Sequence, residues 1–395
     1  MNTILFDAQQ RHKLLPLTYT KPVGELRVGI LKIIEKWDFF LKTKCSFLTE
    51  AYLQEKYPAK IEEQNLLING ALLPDEDISE QILLLKNREA ITKDDELLAI
   101  NLKKEDLLDF FSGKLENYSN NEYDAEVNLI NNTWDIFAKN GEEIESDYEI
   151  LTLGKISQEI SKTVQILGKE QVFFEEGAKA EFAIINATDG PVYIGKDAEI
   201  MEGAVIRGPF ALCQHSTVKM AAKIYGPTTI GPESKVGGEL NNVVIQGYTN
   251  KAHDGFLGNS VIGEWCNLGA DTNNSNLKNN YAEVRLWDYQ TAGFAKTGLQ
   301  FCGLIMGDHS KCGINTMFNT GTVVGVSSNI FGDGFPRNFI PSFSWGGASG
   351  FVTYQTRKAF EVAEKVFERR GLEFDEKEQK ILNHIFEETK KYRKS

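Results

Sequence analysis

The stretch KAHDGFLGNSVIGEWCNLGADTNNSN, residues 251–276, sets one histidine among glycines, asparagines and single apolar residues. Imidazole is suited to taking a proton near neutral pH. Asp254 follows His253 and can orient or polarise a site. Asn267, Asn273, Asn274 and Asn276 donate and accept hydrogen bonds without adding charge, which suits an amide or a thioester carbonyl. A free amine is mostly protonated at neutral pH, so a base beside it helps it attack a thioester, and no cysteine is needed as nucleophile. A structural histidine among corner asparagines stands as the alternative, because asparagine tolerates left-handed backbone.

What must position these groups shows as a period of six. Ile194, Ile200, Ile206, Leu212, Val218, Ile224, Ile230 and Val236 fall six apart without a break. The register resumes at Phe256, Ile262 and Leu268, and again at Met306, Cys312, Phe318, Val324 and Ile330. Glycine often follows directly, as at Gly195, Gly231, Gly263 and Gly313. Six is the repeat of a parallel β-helix of hexapeptides, in which three short strands make a coil of about 18 residues. Every sixth aliphatic residue then points inward. The register shifts by two near 237–255, and a polar excursion interrupts it at 271–303. Solenoids place such insertions on one face. His215, His253 and His309 are the histidines of this region. Their spacings do not stack on one edge, which disfavours a metal site there.

The rest of the chain frames this segment. With 395 residues, two domains are expected. The net charge of −13 and the lack of a long basic block argue against nucleic acid and anionic membrane as partners of the whole chain. The start MNTILFDAQQ lacks the pattern of a signal peptide, and no run approaches the ~18 apolar residues of a membrane span. The five scattered cysteines fit free thiols. A cytoplasmic location is therefore expected. Residues 1–150 read as mixed α/β, with ILFDA as a strand and helical spacing from Leu26 through Ile30, Ile33 and Ile34 to Trp37. Residues 151–186 read as a linker leading into the β-helix of 187–350. Residues 351–395 read as two amphipathic helices, one on Phe360, Ala363, Val366 and Phe367 and one on Ile381, Leu382, Ile385 and Phe386, broken at Gly371.

HDGFLGNSVIGEWCNLGADTNNSN resembles the H-x-x-Y/F-x-G-D/N-x-x-I-G-x-x-x-N-x-G-A-x-T-x-x-x-N run of bacterial glucosamine-1-phosphate N-acetyltransferases, the left-handed β-helix half of a bifunctional enzyme making UDP-N-acetylglucosamine. GLIMGDHSKCGINTMFNTGTVVG is similar to the coil after that family's insertion loop. The resemblance covers roughly 190–335. It implies acetyl-CoA as co-substrate, an amino-sugar phosphate as acceptor and a homotrimer. It implies His253 as general base, with Phe256 in place of a tyrosine. Asn267 and Asn276 would touch the sugar and the acetyl group, and Ala270 and Ile314 the CoA arm. Glu239 would bind the amino sugar and Lys223 its phosphate. Asn241 stands where the family has a phosphate-binding lysine, and Leu277 where it has a tyrosine. Lys251 is the residue expected to replace the lost charge.

LLPLTYTKPVGELRVGI, residues 14–30, resembles the L-x-P-L-T-x-x-x-P-K segment of sugar-nucleotide pyrophosphorylases. The preceding FDAQQRHK lacks that family's glycine-rich loop, Ala71 falls near its magnesium aspartate, and Asp75 comes late. The resemblance implies a degenerate nucleotidyltransferase-like domain. Arg11, Lys13, Lys21 and Arg27 would gather nucleotide phosphates, with UTP as partner and Mg2+ as its cofactor. Two further readings stand beside the acetyltransferase: a sugar-1-phosphate nucleotidyltransferase whose β-helix only oligomerises, and a non-catalytic scaffold that binds a sugar nucleotide.

Overall fold

The computed structural model describes residues 2–115 and 117–393. The chain divides into two compact units. The first comprises residues 1–14, 20–26 and 31–132, and the second residues 15–19, 27–30 and 133–395.

The first unit is built on a six-stranded sheet in the order Ser46–Leu48, Asn2–Phe6, Gln64–Asn69, Glu96–Lys103, Glu89–Lys93, Ser119–Glu122. The first three strands run parallel, and Glu96–Lys103 runs antiparallel to both of its neighbours. Gln64–Asn69 is buried along almost its whole length; the consecutive Leu66, Leu67 and Ile68 suit a strand covered on both faces, and Asn65 and Asn69 are buried with hydrogen-bond partners. The helix expected from Leu26 begins only at Ile33 and ends at Leu41. Its amino end is capped when Lys32 N donates to the Glu35 carboxylate at 2.7 Å. Residues 27–30 instead pack within the second unit, and that is why Ile30 is apolar without being helical.

The second unit is a parallel β-helix. One ladder stacks Gln165–Leu167, Ile184–Asn186, Val205–Arg207 and Lys223–Tyr225 onto the starts of Glu239–Gly247 and Phe256–Glu264. We call this the first face. A second face runs from Val172–Phe174 to Phe339–Ile340. A third runs from Lys179–Ala180 to Ser344–Gly347. The solenoid thus begins at residue 165, inside the stretch read as a linker. Its opening coil carries Ile166, Phe174 and Ala180 inward at spacings of eight and six, off the regular period of the later coils.

All eight residues of the uninterrupted six-period lie in one buried core. Each inward Ile, Leu or Val contributes about 1.5–3 kcal/mol on burial, so the repeat itself is the main source of stability. One expectation fails here. Leu257, not Phe256, enters the core, and Phe256 is half-buried on the first face. The cause lies in the following corner. Six steps lead from Ile224 to Ile230, but only five from their register partners Leu240 to Ile245 and Leu257 to Ile262. That corner is one residue shorter, which moves the inward register by one; the corner at 252–255 keeps the five steps that lead from Val218 to Lys223, and it is the Gly237–Gly238 corner that is two residues short.

The outer side of the second face is roofed by its own unit. Ile144, from the helix Asn140–Thr152, clusters with Ile30, Phe173, Tyr193, Ala211 and Cys213. Thr229, Val244, Val261 and Ile305 are fully buried as a result. The corner between the second and third faces carries Glu233, Tyr248, Trp265, His309 and Phe343 in left-handed backbone. Helices Thr356–Glu368 and Glu376–Glu388 cover it. Phe367 stacks on Trp265 with ring centroids 4.0 Å apart, Arg370 pairs with Glu233 at 2.9 Å, and Phe386 meets Phe343 edge-on. The first face has no such cover: Ile184 and Val205 are 42% and 44% exposed.

Candidate functional site

The first face and its two corners gather most of the residues singled out by sequence. Lys223, Glu239 and Phe256 are successive register partners, and Tyr225, Asn241 and Gly258 form the parallel column beside them. All five side chains point outward, since Ile224, Leu240 and Leu257 between them are in the core. Glu239 is the hub. Its Oε1 accepts from the Tyr225 hydroxyl at 2.6 Å, and Lys223 Nζ lies 3.4 Å from Oε2. The hydroxyl first, and the ammonium after it, hold the Glu239 carboxyl below the usual range against partial desolvation. The same bond raises Tyr225. Tyr225 was not foreseen, although its place two residues after Lys223 puts it on the same outward face of a strand.

One corner, between the third and first faces, stacks Ala252–Gly255, Gly269–Thr272 and Gly313–Thr316. Asp271 N donates to Asp254 O at 3.0 Å and Asn315 N to Ala270 O at 2.8 Å. His253, Ala270 and Ile314 therefore occupy successive levels of one edge. His253 is exposed, Ala270 half-buried and Ile314 exposed. Gly255 permits the turn after His253. Its φ is +115°, and a Cβ there would stand 2.1 Å from Thr272 O.

The other corner is an asparagine ladder at intervals of 17 residues. Asn276 Nδ2 donates to Asn259 Oδ1 at 2.7 Å. Asn259 Nδ2 donates at 3.0 Å to Asn242, whose amide in turn donates to Phe137 O and Pro227 O. Asn242 and Asn259 have φ of 53° and 46°, which asparagine tolerates. Asn273 and Asn274 tie the coils together by accepting from Phe256 N at 2.8 Å and Gly258 N at 2.9 Å. The spacing of 242, 259 and 276 was the visible signal of this ladder. Asn267 does not join these residues: it stands on the third face and accepts from Asn250 Nδ2 at 3.0 Å.

Lys251 departs most from expectation. It does not face a phosphate. It takes an inward place in the row of Val218 and Val236 and is 1% exposed. Its Nζ donates to Gly237 O at 3.0 Å, His253 O at 2.6 Å and Asp254 O at 3.3 Å.

In the first unit, Arg11 and Lys21 are buried while Lys13 is exposed. Arg11 donates to Asp7 at 3.0 Å, to Tyr52 Oη at 2.8 Å and to Lys21 O at 3.2 Å. Thr49 also donates to Asp7. Burial pushes the Asp7 carboxyl up, and Arg11 opposes it. Arg27 belongs to the second unit, where its N donates to Gln246 Oε1 at 2.7 Å. Arg11 and Lys21 are thus buried in the first unit and Arg27 in the second, and Lys13 is the exposed one of the four. Magnesium also lacks ligands where it was expected. Ala71 is apolar and buried, and Asp75 caps the helix Glu76–Leu83 by accepting from Ile78 N. Among the described residues, no group of three His, Cys, Asp or Glu side chains could hold a metal ion, and no helix is long and apolar enough to cross a membrane.

Residues 3–156 match the family model described as sugar nucleotidyl transferase. An uncharacterized acetyltransferase, YaiX, of Escherichia coli O6:K15:H31 is 26% identical over 177 residues, covering 44% of this chain and 74% of the relative. The bifunctional protein GlmU of Methanococcus maripaludis is 28% identical over 218 residues, covering 55% of this chain and 46% of the relative. A bifunctional sugar-1-phosphate nucleotidylyltransferase/acetyltransferase of Sulfurisphaera tokodaii is 29% identical over 144 residues, 36% of this chain and 35% of the relative. Each alignment spans less than half of these two bifunctional relatives. Among solved structures, a UDP-N-acetylglucosamine acyltransferase from Campylobacter jejuni aligns over 58% of this chain and 96% of its own at 13% identity, with a TM-score of 0.27.

Proposed function

We propose, from the premise that this chain is a divergent relative of the bifunctional sugar-1-phosphate nucleotidyltransferase/acetyltransferases and is itself a transferase, that its β-helix moves an acetyl group from acetyl-CoA to the amine of an amino-sugar phosphate. The observation that carries this reading is the exposed His253, standing on a corner at the edge of the face that holds the Lys223–Glu239–Tyr225 group. Glu239 attracts the amino sugar, and Lys223 offers a cation to its phosphate. His253 accepts the proton that the amine releases as its nitrogen bonds to the acetyl carbon. The carbon–sulfur bond breaks, and the CoA thiolate leaves and is protonated. Asn276, oriented by Asn259, supplies a polar group without charge. Ala270 and Ile314 border the edge along which the CoA arm runs, and Asn241 lines the acceptor column. Asn267, on the adjacent face, serves the reaction only if the CoA arm wraps the corner. The uncovered first face is the side on which copies of the chain assemble as a homotrimer.

The test is thiol release from acetyl-CoA with glucosamine-1-phosphate. Turnover by the wild type, lost in His253→Ala while CoA binding is kept, supports the reading. Equal rates in the two proteins remove His253 as the base.

The family match over residues 3–156 favours a second activity, joining the product to UTP with release of pyrophosphate. The buried Arg11 and Lys21 count against it. Pyrophosphate release from UTP and N-acetylglucosamine-1-phosphate decides the matter.

A further inference from the structure

The corner that carries His253 creates a problem inside the prism. In other corners of the same length the second carbonyl accepts from the third amide of the next level, as Glu202 O does from Ala221 N and Ala270 O from Asn315 N. Here Asp271 N bonds to Asp254 O, and the His253 carbonyl turns to the interior beside that of Gly237, whose own corner is two residues shorter. An aliphatic side chain, which the row of Val218 and Val236 would otherwise supply, would leave these two inward carbonyls without this donor. Each such loss is costly in an apolar core. A protonated lysine has three N–H donors, and three carbonyls stand at 3.0, 2.6 and 3.3 Å from Nζ.

We propose that Lys251 is a positioning residue: from inside the β-helix its ammonium holds the corner that presents His253 to the first face. It touches neither substrate nor the reacting atoms. The corner is fixed from two other sides as well. Gly237 and Gly238 in the level before leave no room for a Cβ, which would lie 2.3 Å from Ala252 O and 2.8 Å from the Asp254 Cα, respectively. Gly255 lies as close to Thr272 in the level after. The lysine supplies the third contact, the inward one. Desolvation lowers its pKa to about 8, the cost of placing a cation where the repeat expects an aliphatic residue.

The role as stated rests on the acyl-transfer reading only for its activity readout; its geometry is tested independently. In the full-length chain, hydrogen–deuterium exchange is compared for wild type, Lys251→Met, Lys251→Gln and Val218→Ala. Lys251→Met is expected to speed exchange of the amides at 252–256 tenfold or more, with the coils at 205–230 unchanged. Lys251→Gln, which keeps an amide donor, is intermediate and carries the test if the methionine variant does not fold. Val218→Ala, an inward truncation on the same row, lowers the melting temperature without loosening 252–256. In the thiol-release assay, Lys251→Met lowers kcat tenfold or more with both KM values within twofold. Amides at 252–256 that exchange as in the wild type in both lysine variants overturn the proposal. Loosened amides with no thiol release by the wild type would sink the acyl-transfer reading and leave the positioning role standing.

Discussion

The ammonium of Lys223 stands 3.4 Å from Oε2 of Glu239, one coil apart on the same outward face. Lys223 is well exposed, so the pair adds about 1 kcal/mol or less to stability. Its value is then for binding. Glu239→Gln is expected to raise KM for the amino-sugar phosphate tenfold or more and to leave the melting temperature nearly unchanged. Tyr225→Phe, which removes one hydrogen bond from the same carboxylate, should have a smaller effect in the same direction. Steady-state kinetics with each substrate varied in turn checks both; an unchanged KM in Glu239→Gln would place the acceptor elsewhere.

Stability should rise with pH above neutrality through two lysines. Burial lowers Lys251 and Lys311 from 10.5 to about 8. Between those values the unfolded chain binds the extra proton, so raising the pH through this window favours the folded state. Asp254, Asp271 and Cys312 act on Lys251, and Cys266 on Lys311, each in the opposing sense. The slope for one such group is at most about 1.4 kcal/mol per pH unit. Denaturant unfolding at pH 7.5, 8.5 and 9.5 should show wild type gaining stability relative to Lys251→Met as pH increases. A constant difference would mean that this ammonium is solvated.

Two glycines with similar backbone angles should respond differently to a methyl group. Gly255 has φ +115° and would place a Cβ 2.1 Å from Thr272 O, whereas Gly332 has φ +100° and nothing within 4 Å. Gly332→Ala meets only backbone strain, of order 1–3 kcal/mol. Gly255→Ala adds a clash with backbone that cannot move without parting two coils. It should lower the melting temperature further and abolish thiol release. Thermal unfolding of the two variants side by side is the check.

In the first unit, Arg11→Met should be strongly destabilising. It leaves the Asp7 carboxylate buried with its main counter-charge removed, a change that typically costs about 3–5 kcal/mol. Asp7→Asn with Arg11→Met together should recover part of that loss. Urea unfolding of the single and double variants measures the coupling.

The β-helix was legible because every inward position from Ile194 to Val236 repeats without exception. Its first coils were not, since Ile166, Phe174 and Ala180 are spaced eight and then six apart and so fall off the register of the later ones. The slip at Phe256 has a physical cause that no periodicity contains: a corner one residue shorter between Leu257 and Ile262 than between Ile224 and Ile230, on a level that also carries a lysine on an inward row. A charged residue reads as exposed by default, so Lys251 was assigned to solvent and a substrate phosphate. The sequence likewise does not show that Arg11, Lys21 and Arg27 are buried, as packing makes all three. His253 and Asn276 kept their surface places because a turn and a corner are where polar residues belong in either reading.

The edge that carries His253, Ala270 and Ile314 advances by one strand spacing per level, about 4.8 Å. It behaves as a graduated scale. The gap between the base and any contact further along the edge is quantised in these steps, because each level is locked to the next by main-chain pairing. Side-chain substitution can tune a contact at one mark but cannot slide the marks. Accommodating a markedly longer acyl donor in this scaffold would require gaining or losing an entire turn of chain.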